Sequence, residues 1–449
     1  MEDLQTLLDE FRAKRDVVGA TLGILEADRI ETVASGLLNL DTKVECTPDS
    51  VFQIGSIGKI FTTTLIMQLL DAGRLALEDP VVKHLPDFML ADAAAARGIV
   101  IRQLLNHTSG IDGDFFVPDD PEGPSTLSYV RKMCLLQSLY PPGEGPVTYC
   151  NAGFVVAGRI AEVLTGMPWP RAVVRQIARP LALTHLFADP RESLRFRCAM
   201  GHMPDPADRT KTRVAPATYL GLSSAAAGSV LSMSVESLLK FARVHLANGC
   251  YGDGKTLLSE RSALRMREDL TEVPPFSGVG VTHWGLGWKL SRGLGYSMFG
   301  HDGGTLGHYT YLRIYPEKQT AFALFTNSPS LKLMEDVESV LMPRLAGAPC
   351  PAEPAREDWA PDAARYIGRY ANVAGEHRVE EKAGSLALHP ISKHGEPDVH
   401  ATLEPYSRDV FAIIGAPTEG QKASFLDPGK DGQFRFIRIG TRMARRVRE

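Results

Sequence analysis

Ser56 and Lys59 stand one helical turn apart in the run Val51-Phe52-Gln53-Ile54-Gly55-Ser56-Ile57-Gly58-Lys59-Ile60-Phe61-Thr62, where an apolar helix is expected to begin. Side chains at i and i+3 share a helix face, so the amine can reach the hydroxyl and ease removal of its proton. A serine at such a start also lies near the positive end of the helix dipole, which favours a developing alkoxide. That is the chemistry of an activated nucleophile. The spacing alone is common, because serines near helix starts usually cap and a lysine three residues on is usually solvated.

Two further segments give it weight. Tyr149-Cys150-Asn151 follows the loop Pro141-Pro142-Gly143-Glu144-Gly145-Pro146 and enters an apolar helix from Phe154. A phenol beside a protonated lysine has its anion favoured, which makes Tyr149 a candidate base for Ser56 and a later proton donor to the leaving group. Asn151 offers an amide to Lys59 or to a substrate carbonyl. Gly300-His301-Asp302-Gly303-Gly304-Thr305-Leu306-Gly307-His308 is expected between two strands, where glycines let a substrate approach the backbone. A free N–H at Gly304, with that of Ser56, would hold the oxyanion of a tetrahedral intermediate, and His301 would line the site. The segment is not a phosphate loop, since no Gly-Lys-Ser/Thr follows and no helix starts there. Nor do His283, His301 and His308 follow a His-Glu-x-x-His pattern for a metal.

The elements that must position these groups come from both ends of the chain. Leu4, Leu7, Leu8 and Phe11 keep helical spacing, and Val17 to Leu25 with Arg29 to Leu38 reads as a β-hairpin turning at Glu26-Ala27-Asp28. The nucleophile helix ends near Gly73. Helices are expected near Ser125 to Gln137, Phe154 to Thr165 and Ser234 to Ala247, and strands at Gly285 to Leu290, His308 to Ile314 and Thr320 to Thr326. Strands at both ends of a helical insert give an α+β fold, an antiparallel sheet flanked by helices with a helical subdomain. Prolines then crowd at Pro343, Pro349, Pro351, Pro354 and Pro361. This composition stiffens a linker, which divides the chain into a domain over 1–345, a linker over 346–361 and a small all-β barrel or sandwich over 362–449.

A chain of 449 residues with 44% apolar and 23% charged residues is that of a folded globular protein of more than one domain. A net charge of -4 gives no basis for a nucleic acid or anionic membrane partner. The one basic run, Arg442 to Arg448, reads as a solvated tail or strand end. No apolar stretch reaches the roughly 18 residues of a membrane span, and the first residues lack the basic and apolar regions of a secretory signal. Six scattered cysteines with no Cys-x-x-Cys fit reduced thiols, so a cytoplasmic location is expected.

The three motif segments together resemble the serine β-lactamase and penicillin-binding-protein superfamily, within it the class C-like branch of D-aminopeptidases, D-stereospecific peptidases and esterases (peptidase family S12). Ser-x-x-Lys matches at Ser56 and Lys59 and Tyr-x-Asn at Tyr149 and Asn151, while His301-Asp302-Gly303 stands where Lys-Thr-Gly is usual. Leu104-Leu105-Asn106-His107-Thr108-Ser109-Gly110, Ala227-Gly228-Ser229, Gly285-Leu286-Gly287-Trp288 and Leu324-Phe325-Thr326-Asn327 are similar to secondary marks of the same family. Tyr366-Ile367-Gly368-Arg369-Tyr370 is similar to the opening of a lipocalin-like barrel carried by some of these peptidases. The resemblance implies a β-lactamase/transpeptidase-like fold and a Ser56 acyl-enzyme. Amide or peptide cleavage, with D-amino-acid substrates first, is its leading implication, and a carboxylesterase or acyltransferase its second. Losing the lysine of Lys-Thr-Gly removes a cation for a substrate carboxylate. Catalytic Ser56, Lys59 and Tyr149, substrate or oxyanion contacts at Asn151, His301, Gly303 and Gly304, no metal or organic cofactor, and a small-molecule or short-peptide partner are the resulting expectations. Whether Tyr149 or Lys59 holds the mobile proton, whether the chain self-associates, and whether it instead kept the fold as a non-catalytic binding protein stay open at this point.

Overall fold

A first long strand buried on both faces sets the architecture. A computed structural model describes residues 3–273, 280–382, 384–392, 400–415 and 420–447. Helix α1 (Leu4–Lys14) leads into β1 (Gly19–Glu26) and β2 (Arg29–Gly36), the expected hairpin. The rest of the sheet comes from β3 (Thr271–Glu272), β4 (His283–Trp284), β5 (Lys289–Ser291), β6 (Met298–Gly304), β7 (Tyr309–Tyr315) and β8 (Thr320–Thr326). Their order is β3-β4-β5-β6-β7-β8-β1-β2, all antiparallel, so N- and C-terminal segments close one sheet through the β8–β1 pair. Successive side chains leave opposite faces: Leu22, Ile24, Tyr311, Phe322 and Leu324 join α1 and a helix at Leu331–Leu345 in one core. Leu25, Leu312, Ile314, Ala323 and Phe325 enter the larger core on the other face. A helix at Val235–Leu246 presses there, and a Cβ on Gly23 would meet Leu239 Cδ1 at 2.7 Å, so a larger residue would have to push that side chain aside.

Helix α2 (Gly58–Asp71) lies between the sheet and the helical part, and every residue from Gly58 to Met67 is buried. A helix apolar on all sides is stable only inside a core. Its three threonines satisfy their hydroxyls there: Thr63 donates to the Lys59 carbonyl at 3.0 Å, Thr64 to that of Ile60 at 2.8 Å and Thr62 to that of Ala226 at 2.7 Å. Helix α3 (Thr126–Lys132) is shorter than the sequence suggests, passing into a 3-10 turn at Met133–Leu135. Helix α4 (Asn151–Thr165) ends where Gly166 takes φ +68, the left-handed cap that glycine accepts without strain.

Two readings of the sequence need correction. Gly285 to Leu290 is not one strand: Gly285 to Trp288 forms a turn between β4 and β5, with φ +77 at Gly287. Conversely, Gly300 to Gly304 is not a connecting loop but the second part of β6, paired from Phe299↔Ile314 to Gly304↔Tyr309. Its glycines are there for close approach rather than for turning. A Cβ on Gly303 would fall 1.9 Å from the Ile54 carbonyl oxygen, and one on Gly300 2.1 Å from that of Leu312.

Residues 349–362 run without helix or strand. Beyond them eight antiparallel strands close a barrel: β9 (Gly368–Ala371), β10 (Gly375–Lys382), β11 (Ser385–Ser392), β12 (Ala401–Ser407), β13 (Val410–Ile414), β14 (Lys422–Pro428), β15 (Phe434–Ile439) and β16 (Arg442–Val447). Each pairs with the next, and β9 closes on β16, which removes free edges. Aromatic rings fill its interior; Tyr366 stacks on Phe434 at 5.2 Å and donates to Asp409 at 2.6 Å. The β15–β16 hairpin also packs outward. Phe436 and Met443 join Leu139 and Tyr140 in a small cluster, and Tyr149 N–H donates to the Thr441 carbonyl at 2.9 Å.

Candidate active site

Ser56 occupies one turn of 3-10 helix, Gly55–Ile57, that runs directly into α2. The turn is wedged between β6 and the Leu222–Ala227 turn. A Cβ on Gly55 would lie 2.5 Å from Gly304 N, and one on Gly228 would lie 2.0 Å from the Gly55 carbonyl oxygen. Small residues on three strands of chain therefore fix the hydroxyl without side-chain bulk. Lys59 Nζ donates to Ser56 Oγ at 3.0 Å and to the Ala227 carbonyl at 2.6 Å. Its side chain is fully buried, 4.9 Å from the ring centre of Tyr149 and 5.7 Å from that of Phe154. Burial, aided by the charge of Arg442, pushes this amine well below the ordinary lysine range.

Tyr149 closes the group, its phenol in hydrogen-bond contact with Ser56. Burial raises the phenol above its ordinary value, an effect larger than the opposing help of the Ser56 hydrogen bond and the Arg442 charge. The environment thus favours a neutral phenol beside an amine depleted of its proton. The sequence left open which of the two holds the mobile proton; here desolvation outweighs their mutual attraction and disfavours both charged forms. His107 holds the ring in place: it lies tilted against Tyr149 at 4.5 Å, meets Trp284 edge-on at 4.8 Å and accepts the Cys150 N–H on Nδ1 at 3.0 Å. Burial, then the Lys59 charge, keeps His107 well below its ordinary value, so it serves as a neutral brace.

The other sequence candidates divide. Gly304 is exposed and lines a cleft of about 80 Å³ together with Ser56, Asn151, Phe115, Phe116 and Arg442. Gly303 lies behind it against Ile54. His301 is 1% exposed, with Nδ1 bonded to the Asp302 carbonyl at 2.6 Å and its ring 6.3 Å from that of Tyr149. Burial, followed by the Lys289 charge, brings it down to about 3, so it is an uncharged wall behind the phenol rather than a cation. Asp302 pairs with Lys289 and with Arg313, each at 2.5 Å.

Asn151 does not take the partner expected of it. Its amide donates to Asp114 Oδ1 at 2.7 Å, and the other carboxylate oxygen of Asp114 is held by Arg442. Arg442, in a run that reads from sequence as a solvated tail or strand end, opens the barrel's last strand and reaches over the Tyr149 ring at 5.2 Å. Neither Asp114 nor Arg442 carries a local sequence signal. The cluster as a whole unites a hydroxyl, an amine, a phenol, an amide and a guanidinium around one small cleft, which is the equipment for acyl transfer through a serine.

This fold and cluster belong to a defined class: the chain is a member of the Beta-lactamase family, whose model matches residues 4–339. Members of that family are serine hydrolases. Over 371 residues the chain is 38% identical to Penicillin-binding protein 4 of Amycolatopsis lactamdurans, a match spanning 81% of this chain and 96% of the relative. Among solved structures it is similar to SurE, at 28% identity and a TM-score of 0.80 over 99% of this chain and 98% of that one. A D-stereospecific amidohydrolase from Streptomyces sp. is 25% identical with a TM-score of 0.58, covering 74% of this chain and 98% of its own. No helix among the described residues is long and apolar enough to cross a membrane, and no group of three or more metal-ligating side chains occurs among them.

Proposed function

We propose that this chain is a serine amidohydrolase that cleaves amide or peptide bonds next to D-amino acids through an acyl-enzyme on Ser56. The observation that carries the reading is the 3.0 Å bond between Lys59 Nζ and Ser56 Oγ inside a buried pocket. Lys59, uncharged at rest, accepts the Ser56 proton while its remaining N–H stays on the Ala227 carbonyl. Ser56 Oγ attacks the substrate carbonyl, and the N–H groups of Ser56 and Gly304 receive the oxyanion. Tyr149, a neutral phenol on the other side of Ser56, passes a proton to the departing nitrogen and regains one from Lys59. Water, entering where the amine left, repeats the sequence in reverse and frees the acid.

Arg442 restores, from another part of the chain, a cation of the kind that Lys-Thr-Gly would have provided, and is suited to a carboxylate on the substrate. The D preference rests on the neighbours: SurE has been solved with D-Leu, and the Streptomyces amidohydrolase is described as D-stereospecific. The domain limits proposed from sequence, 1–345, 346–361 and 362–449, fit this division of labour between a catalytic body and a barrel that lends one side chain. The test is a matched set of D- and L-aminoacyl p-nitroanilides, p-nitrophenyl esters and nitrocefin, with fluorophosphonate labelling in parallel. D-anilide cleavage with an adduct on Ser56 is expected. Esters cleaved without any anilide would instead favour the carboxylesterase or acyltransferase reading, and absence of both adduct and turnover the binding protein.

A further inference from the structure

The loop over residues 112–119 forms neither helix nor strand, yet its course is fixed at several points. Asp112 accepts the Val373 N–H of the barrel at 2.7 Å, the Phe115 carbonyl accepts the Tyr129 hydroxyl at 2.5 Å, and Asp114 holds Asn151 and Arg442. Phe115 and Phe116 from this loop line the Ser56 cleft, and so do Ser224 and Ala227 from the Leu222–Ala227 turn. Asp119 joins the two segments. Its Oδ2 accepts the Leu222 N–H at 2.7 Å and its Oδ1 the Ser223 N–H at 2.8 Å.

Those are the first two amides of the turn, groups that a helical turn cannot satisfy from within. The residue before them is Gly221, which has no side chain to cap with. A carboxylate at such a start is favoured by the peptide dipoles as well as by the two bonds. Asp119 thus supplies, from 103 positions away, the cap that the local sequence omits. The turn depends on it, because Ser224 leaves helical dihedrals midway (φ -98, ψ 19) and six residues of 3-10 helix have little ladder of their own. Its far end carries the support for the base. The Ala226 carbonyl accepts from Thr62 at 2.7 Å, the Ala227 carbonyl accepts from Lys59 at 2.6 Å, and Gly228 packs against Gly55 beside Ser56.

We infer that Asp119 is a positioning residue for acyl transfer: by capping the Leu222–Ala227 turn from the loop that carries Phe115 and Phe116, its carboxylate sets the place of the Ala227 carbonyl that holds Lys59 against Ser56. The inference rests on Ser56 as nucleophile and Lys59 as its base. Asp119 itself does not line the cleft, so it acts through the turn.

The test follows, in the full chain and as a function of pH, the second-order rate at which a dialkyl fluorophosphonate labels Ser56, with the melting temperature recorded alongside. Asp119→Ala removes both bonds and should slow labelling by about tenfold, the population lost from the productive arrangement when a helical cap of ordinary strength goes. The pH midpoint of labelling should rise by about half a unit or more, because water admitted beside a loosened turn relieves the burial that keeps the Lys59 amine neutral. Loss of a negative charge by itself would move that midpoint down, so the direction separates positioning from electrostatics. The groups that face Lys59, namely Arg442, Asp114, Cys150, Tyr149 and His107, are unchanged in the variant. Asp119→Asn, of the same shape but with one acceptor oxygen, should fall between Asp119→Ala and wild type. Asp120→Ala breaks the neighbouring pair with Lys132, leaves the turn alone, and should label within twofold of wild type. Should Asp119→Ala fail to fold, Asp119→Asn carries the test, with a slower rate and a raised midpoint still required. Labelling within twofold of wild type in the Asp119 variants, a midpoint that stays or moves down, or an equal loss in Asp120→Ala would overturn the inference while leaving Ser56 as the nucleophile. Absence of any adduct on wild-type protein would overturn the Ser56 reading, and this inference with it.

Discussion

Removing Arg442 should damage a residue that it does not touch. Asp114, with only 11% of its side chain exposed, holds Asn151 through one oxygen and Arg442 through the other. Arg442→Ala leaves that carboxylate short of a partner, free to pull Asn151 away from the cleft or to draw water in. At about 3 Å separation, two unit charges attract by roughly 1.4 kcal/mol in a medium of ε near 80 and roughly 5.5 kcal/mol at ε near 20. Arg442 is 47% exposed, so solvent screening places the pair toward the lower figure, about 2 kcal/mol. That corresponds to about a 30-fold fall in kcat/KM for whichever panel substrate is turned over best, at about 1.4 kcal/mol for each factor of ten. The decisive assay is a double-mutant cycle with Arg442→Ala, Asp114→Ala and the pair. Each single variant should lose about 30-fold, and the double variant should lose little more than either, since the second change finds no partner to break. Two singles within twofold of wild type, or losses that multiply, would refute the idea that the barrel arranges Asn151 through Asp114.

Ser56→Ala should abolish turnover and leave the melting temperature within about 2 °C, because the side chain makes few packing contacts; retained turnover would rule out the nucleophile. Tyr149→Phe should slow anilide cleavage by about 10²–10⁴-fold yet affect p-nitrophenyl esters far less, since p-nitrophenolate leaves without a proton; equal losses would remove Tyr149 from the role of acid. Lys59→Met should be inactive and more stable than wild type. A lysine whose folded value lies below the ordinary 10.5 must shed a proton to fold whenever the pH is under that ordinary value, so wild type loses stability as pH falls. The variant's advantage, worth roughly 2–4 °C for each kcal/mol relieved, should therefore be greatest near pH 6 and fade as pH approaches 10. A melting-temperature gap that is flat with pH, or opposite in sign, would show that Lys59 keeps its charge.

What the sequence disclosed follows from the range over which each signal acts. Ser56 and Lys59 were legible because a helix turn converts a spacing of three into contact, and Tyr149 and Asn151 because an apolar helix follows them. The sheet was legible because its strands alternate at both ends of the chain, and the barrel because helical period disappears after the prolines. The glycines of β6 misled for a physical reason: glycine signals a turn and a tight packing contact alike, and here Ile54 and Leu312 impose the second. Asp114 and Arg442 stayed hidden because their contact spans 328 positions, and no local pattern encodes it. The protonation of Tyr149 and Lys59 also escaped, since it depends on how much water the surrounding chain excludes.

Arg442 comes after every other residue of the cleft in the order of synthesis. Synthesis must therefore reach β16 before the guanidinium can join Asp114, and a polypeptide that stops short of β16 would present the cleft without it. Changes made to β16 therefore reach the cleft of Ser56 as well as the barrel.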